Sequence, residues 1–327
     1  MKRILAALML AVFGFCAVGA HAATKPADVA VIIKATDSDF WQYVLVGARN
    51  YAKEFPDKAS ITTYGPRSEA DIDRQVTILE DVISTKPDAI VISSTSSDAT
   101  VPALEDAKDQ GIVVVTIDNR VNTNRVDSLL ATNNLAAGKL AAKTFVDMLK
   151  AKGVPLKGKA GIIGSMAGVQ VLSDRDDGFI NGMKEYAPEI ELLGPRYCDN
   201  DIVRALNNAI DMYTANPDLL GFFADNNHTG DGVARAIAEL NLSDKLIGIA
   251  FDSDPEEIEA VRDGALKALV LQDPYGMGYY GVDFALKKLA GEDIPAYVDT
   301  GVTIVTKENM DNPEILGLLD PMTRAMD

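Results

Sequence analysis

The sequence predicts an α/β protein made of two similar doubly wound parallel-sheet lobes. Short apolar runs with polar tips alternate with amphipathic stretches along the whole chain, the pattern of parallel strands joined by helices. The units outnumber what one sheet of ordinary size holds. A break falls near 131–133, where a short strand enters a new helix without a tight turn. The 327 residues suffice for two domains, and 47% hydrophobic with 24% charged residues suits a globular α/β chain.

The first unit sets the frame. Residues 29–35 read as a buried strand ending on Lys34, and 40–55 as an amphipathic helix. Asp37, Ser38 and Asp39 lie in the loop between, followed by Phe40 and Trp41, the only tryptophan. Trp41 stands in the helix's first turn, off its buried stripe. Ligands of open parallel sheets sit beyond the carboxyl ends of the strands, so this loop is expected to face a crevice.

Further strands are expected at 59–64, 89–94, 113–118 and 128–132, with helices at 69–85 and 100–111. A long helix over 134–152 opens the second half, and 153–159 is a connection. Then come strand 160–166, helix 174–187, strand 191–196 and helix 201–215. Strand 219–224 leads to helix 229–240, strand 246–251 to helix 256–263, and strand 266–271 to helix 276–289, before a last strand at 302–305.

Several functions are disfavoured. The net charge is −17 with no basic run, so the chain repels nucleic acid and anionic lipid. Residues 1–22 read as a secretory leader: Lys2 and Arg3, an apolar run, then Ala20-His21-Ala22. Phe15 before Cys16 is too bulky for a lipidation signal. Beyond the leader one cysteine, Cys198, and one histidine, His228, remain, which provide neither a disulfide nor a zinc set. Residues 153–159 match a phosphate-binding loop as far as its lysine, but Ala160 stands where a hydroxyl is needed and the element order is reversed. No dinucleotide fingerprint or nucleophile elbow occurs, and the acidic clusters at 37–39 and 252–254 lack an EF-hand loop. No cofactor and no metal are called for.

The informative residues stand at strand ends. Asp118 and Asn119 follow one strand, Asp225, Asn226 and Asn227 another, Asp252 a third, and Gln272 with Asp273 a fourth. Arg175 falls at a helix start, where its planar fork can grip two oxygens. Asp and Asn favour caps and turns for their own sake. Four such ends, with Arg175 and an aromatic pair beside them, point to a polar cleft for a hydroxylated small ligand. Lys34 and Asn119 end strands of one lobe and are expected to flank one crevice, with Lys34 paired to Asp37 or Asp118 or donating to a ligand hydroxyl.

These pieces resemble the periplasmic sugar-binding proteins of ABC importers, of the ribose-binding, type I kind. The resemblance rests on Asp39-Phe40-Trp41, Thr116-Ile117-Asp118, Arg175-Asp176-Asp177-Gly178-Phe179, Phe223-Ala224-Asp225-Asn226, Gly248-Ile249-Ala250-Phe251-Asp252 and Leu271-Gln272, in that order. It implies that Phe40 and Trp41 stack on a sugar ring and that Asp118, Arg175, Asn226, Asp252 and Gln272 bond its hydroxyls. Lys34, Ser38, Asn119, Asn200 and Phe251 complete the implied site. Asn119 replaces the arginine of the ribose pattern, Asn200 an aromatic and Asn227 an aspartate, while Lys34 matches arabinose binders. A neutral monosaccharide or polyol remains the implied ligand class.

The family architecture further implies a three-stranded hinge with crossings near Thr132/Asn133, Gln272/Asp273 and Asp299/Thr300. Lobe one is then 25–132 with 273–299, and lobe two 133–272 with 300–327. The implied partners are a membrane permease and, with transport alone equally compatible, a chemoreceptor. The implied compartment is the periplasm. Two other readings compete: a periplasmic glycosidase or epimerase using the same carboxylates, and a sugar-responsive transcription regulator, which needs a helix-turn-helix where the leader stands.

Overall fold

The structure is a computed structural model that describes residues 25–326; the leader expected over 1–22 lies outside them. Sheet one contains β1 (Ala27–Ile32), β2 (Ala59–Tyr64), β3 (Ala89–Ile92), β4 (Val113–Ile117), β5 (Ser128–Ala131) and β11 (Tyr297–Asp299), in the order β11-β5-β4-β3-β1-β2. Sheet two contains β6 (Gly158–Gly164), β7 (Ile190–Tyr197), β8 (Leu219–Ala224), β9 (Ile247–Phe251), β10 (Ala268–Leu271) and β12 (Thr303–Val305), in the order β12-β10-β9-β8-β6-β7. All neighbours pair in parallel except β10 and β12. The two sheets share one strand order, apart from the direction of the edge strand, and each reverses it beside its first strand, the place where a crevice opens.

Helices cover both faces of each sheet, which is why the strands read as continuous apolar runs. In β1, Val29 and Val31 pack under α1 (Asp39–Glu54) and α9 (Pro274–Leu289). Ala30 and Ile32 point the other way, under α2 (Ile72–Ser84) and α3 (Val101–Asp109). Sheet two is covered on one face by α4 (Asn134–Ala151) and α5 (Gln170–Tyr186). Its other face carries α6 (Ile202–Ala215), α7 (Asn227–Glu239), α8 (Pro255–Asp263) and α10 (Pro313–Leu319).

The chain passes between the sheets after β5, after β10 and after β11. Thr132 Oγ1 lies 3.3 Å from Thr300 Oγ1, and Asp299 accepts from the Asn133 amide at 3.1 Å, so two of these segments are tied together. After α10 a short 3-10 helix, Pro321–Arg324, returns to α1, where Asn50 Nδ2 donates to the Arg324 carbonyl at 2.6 Å.

Some elements differ from the sequence reading. The first strand stops at Ile32, which leaves Lys34 in the loop. Helix α5 begins at Gln170 rather than 174, because Val169 offers no capping side chain to mark its start; Arg175 therefore lies in the second turn. Strand β11 went unread because it is three residues on an exposed edge. Helix α10 and the 3-10 turn were also missed, being too short for a clear period.

Candidate functional site

The carboxyl ends of β1, β4, β8, β9 and β10 converge on one small cavity between the sheets. It is lined by Lys34, Phe40, Trp41, Asp118, Arg175, Asn226, Asp252 and Gln272 of the expected residues, with Glu69, Val171, Leu172 and Asn227 in addition. Its volume is about 20 Å³, room for roughly one water. The cavity is therefore smaller than a sugar ring.

Lys34 is 2% exposed, and its Nζ lies 2.7 Å from Asp118 Oδ2. Of the pairings open to Lys34, this is the one formed. Asp118 also accepts from Ser93 Oγ at 3.1 Å. Arg175, 3% exposed, is held from behind: Nε donates to Asn134 Oδ1 and Nη1 to the Asp225 carbonyl, each at 2.8 Å. Its guanidinium stacks 4.2 Å from the centroid of Phe251. Phe251 is thus a platform under the arginine and does not line the cavity. The register of Arg175 depends on a close helix crossing, since a Cβ on Gly138 of α4 would come within 2.1 Å of the Arg175 carbonyl oxygen.

Arg175 reaches toward both lobes, 4.0 Å from Asp118 Oδ1 and 3.9 Å from Asp252 Oδ2. Gln272 Nε2 donates to Asp252 Oδ1 at 2.6 Å. Burial pushes the Asp252 carboxyl up to about 6, against the opposing pull of Arg175 and Gln272. Asn226 caps α7 through the Thr229 amide, and its Nδ2 donates to Asn200 Oδ1 at 2.8 Å. Asn200 sits behind Asn226, bonded also to Ser165, and does not reach the cavity.

Two expected residues play other structural parts. Asn119 turns away from Lys34: its Nδ2 donates to the Ser94 carbonyl at 3.0 Å, and it is absent from the lining. Its place is set by Asp118, whose left-handed backbone (φ 59) swings the following residue out of line. Ser38 is absent from the lining and accepts from Asn227 Nδ2 at 3.3 Å, a contact between the two lobes.

The aromatic pair is more enclosed than its helix position suggested. Phe40 and Trp41 meet edge to face at 4.8 Å, and Trp41 is 2% exposed. Trp41 Nε1 donates to Glu69 Oε1 at 2.7 Å. Trp41 is therefore both core and cavity wall, because Glu69 of the β2–α2 loop bonds the indole of a helix turn that sequence alone leaves open.

Glu69 escaped the sequence reading because it passed for the first turn of a surface helix; its place after a strand was the available signal. Val171 and Leu172 escaped with the misplaced start of α5. A roomier groove, about 500 Å³, lies beside the hinge between Val121, Leu135 and Tyr297. The small cavity is the better candidate because buried charges of both lobes converge there. Among the described residues no group of acidic, histidine or cysteine side chains is placed to hold a metal.

The periplasmic binding protein domain family matches residues 29–293. The ribose import binding protein of Escherichia coli is 28% identical over 310 residues, 94% of this chain and 99% of that protein. A carbohydrate transporter solute-binding protein from Agrobacterium radiobacter, solved with D-arabinose, superposes with a TM-score of 0.87 at 36% identity, covering 90% of this chain and 99% of that one. An ABC transporter solute-binding protein from Agrobacterium vitis with bound D-fucose gives 0.84 at 37% identity, covering 89% and 99%.

Proposed function

This chain belongs to the periplasmic binding protein domain family, and from that premise we propose that it is the solute-binding component of a bacterial ABC importer, taking a neutral monosaccharide or polyol between its lobes. The observation that carries this is the meeting of Lys34, Asp118, Arg175, Asn226, Asp252 and Gln272 beside Trp41 in one enclosed cavity. Amides and charged groups held by neighbours present fixed donors and acceptors to hydroxyls. An indole and a phenyl ring suit the apolar face of a sugar ring.

The residues act in two sets. Lys34, Asp118, Phe40 and Trp41 come from lobe one; Arg175, Asn226 and Asp252 come from lobe two, and Gln272 stands at a crossing. A ligand touching both sets stabilises the closed form by its differential contacts. The closed lobes are the shape a permease can read. The ordered partner is thus the membrane permease of the importer, and the compartment the periplasm, where the leader sends it.

The carboxylates serve here as acceptors. Asp118 is paired to Lys34 and Asp252 accepts from Gln272. A thermal-shift series of pentoses, hexoses, deoxy sugars and polyols tests the reading: a hundredfold excess over Kd adds about 2.7 kcal/mol of apparent stability. The bound sugar, released by denaturation, should be recovered unchanged. Absence of any shift across the series would overturn the ligand class; a chemically altered sugar would restore the enzyme reading.

A further inference from the structure

The cavity carries more negative than positive groups. Its cations are Lys34 and Arg175, and its carboxylates are Asp118, Asp252 and Glu69. Lys34 is paired to Asp118, and Arg175 lies near Asp118 and Asp252. Glu69 pairs with no lysine or arginine among the described residues. It is 8% exposed, so its charge is held in a poorly solvated place. Its negative field reaches the other lobe, where it adds to the burial that raises Asp252.

Only one of its oxygens is used. Oε1 accepts the Trp41 indole N–H at 2.7 Å. Oε2 has no protein donor among the described residues, and it is not sealed in like the partnerless oxygens of Asp176 or Glu257. An acceptor for the indole alone needs no charge: a glutamine or a backbone carbonyl would serve at smaller desolvation cost. The indole bond instead fixes the carboxylate of a cavity-lining residue by one oxygen and leaves the second free of protein donors among the described residues.

We propose that Glu69 is a specificity-determining contact of this site, accepting through Oε2 a hydroxyl of the ligand next to Trp41. The proposal rests on the sugar-binding reading of the cavity. An O–H donated to a buried carboxylate is a charge-assisted bond, and a ligand lacking that hydroxyl leaves Oε2 unmatched. The same uncompensated charge sets a second rule: sugar acids are rejected where neutral sugars are accepted, because their carboxylate would meet a cavity already in excess negative charge.

Calorimetry on the parental protein and Glu69→Gln separates this from a structural role. Glutamine keeps an acceptor for Trp41, so melting without ligand and Trp41 emission should stay near parental. The expected result is a loss of about tenfold or more in affinity for the best neutral sugar. That loss should vanish for one monodeoxy analogue and persist for the others, and the matching uronic acid should gain on the neutral sugar. Trp41→Phe with and without Glu69→Gln adds a control: because the indole orients the carboxylate, the Glu69 effect should shrink in the Trp41→Phe background while still marking the same monodeoxy analogue. Equal affinities and an unchanged sugar ranking in Glu69→Gln would overturn the proposal and leave sugar binding intact. A parental protein that binds none of the sugars would sink the underlying reading instead.

Discussion

Asp118 and Asp252 occupy equivalent places in the two lobes and share an uncommon backbone. Each follows the strand at the same position of its sheet, β4 and β9, and each is left-handed, with φ 59 and 76. Side chains with a Cβ pay for that conformation, aspartate and asparagine less than most. Such strain gathers at functional sites. Here it aims two carboxylates from opposite lobes at Arg175 between them.

The variant Asp252→Asn should fold and bind poorly. Asparagine tolerates the left-handed region and still accepts from Gln272, but it loses the charged acceptor. Sugar affinity should fall at least about tenfold. Stability without ligand should move the other way. The folded Asp252 titrates at about 6 against an ordinary 3.8. Its contribution is therefore most favourable below the ordinary value and is lost as pH rises through about 6. The variant should be more stable than the parent at pH 8, by up to about 3 kcal/mol, with the gap closing toward pH 4. Denaturant melts at the two pH values check this, and a gap independent of pH would count against it.

Trp41 should report binding by its fluorescence, since the chain has no other tryptophan. Its burial changes what truncation does: Trp41→Ala removes core packing shared with Phe40 and Val44 and should cost about 3–5 kcal/mol. Trp41→Phe is the cleaner probe, with smaller loss of stability and a weakened sugar site. Denaturant melts and titration of both variants separate the two effects. An emission spectrum indifferent to saturating sugar would remove Trp41 from the cavity wall.

What was legible in the chain followed local rules. Apolar runs ending in Asp, Asn or Gln mark the strand ends, so Asp118, Asn226, Asp252 and Gln272 are legible in the chain, with Lys34 near the end of the first run. What was not legible depended on neighbours far along the chain. Asn119 reads as Asp118's companion, yet the positive φ at 118 turns it toward Ser94. Asn200 and Phe251 read as ligand contacts, yet they support Asn226 and Arg175 from behind. Glu69 has no signature until Trp41 is seen to bond it, and the uncapped start of α5 hid Val171 and Leu172.

The Lys34–Asp118 pair should show the asymmetry of buried ions. Removing one partner strands the other charge, so Lys34→Met should destabilise by about 3 kcal/mol, toward the low end because Arg175 remains near Asp118. Lys34→Met combined with Asp118→Asn should recover most of that loss in urea melts. Sugar affinity should not recover, since both groups line the cavity. Additive losses of stability would mean that the two side chains do not act as a pair.

The tail supplies the last test, because it joins the lobes outside the three crossings. Its root, α10, is fixed in lobe two by Ile315 and Leu319, and Ser253 Oγ, next to Asp252, donates to the Leu319 carbonyl at 2.9 Å. Its end is fixed on lobe one. Buried Asn50 donates to the Arg324 carbonyl at 2.6 Å and accepts from the Met326 amide at 3.0 Å, and the Arg324 guanidinium covers Tyr275 at 3.4 Å. Lobe opening must therefore stretch or release the short link at Asp320, so these contacts weigh on the closed side of the equilibrium. Asn50→Ala, or deletion of the residues after 320, should widen the protein in small-angle scattering and speed sugar release, with association little changed. Stopped-flow emission from Trp41 gives both rates. A release rate and a scattering profile equal to the parent's would show that the tail rides on lobe one without restraining the hinge.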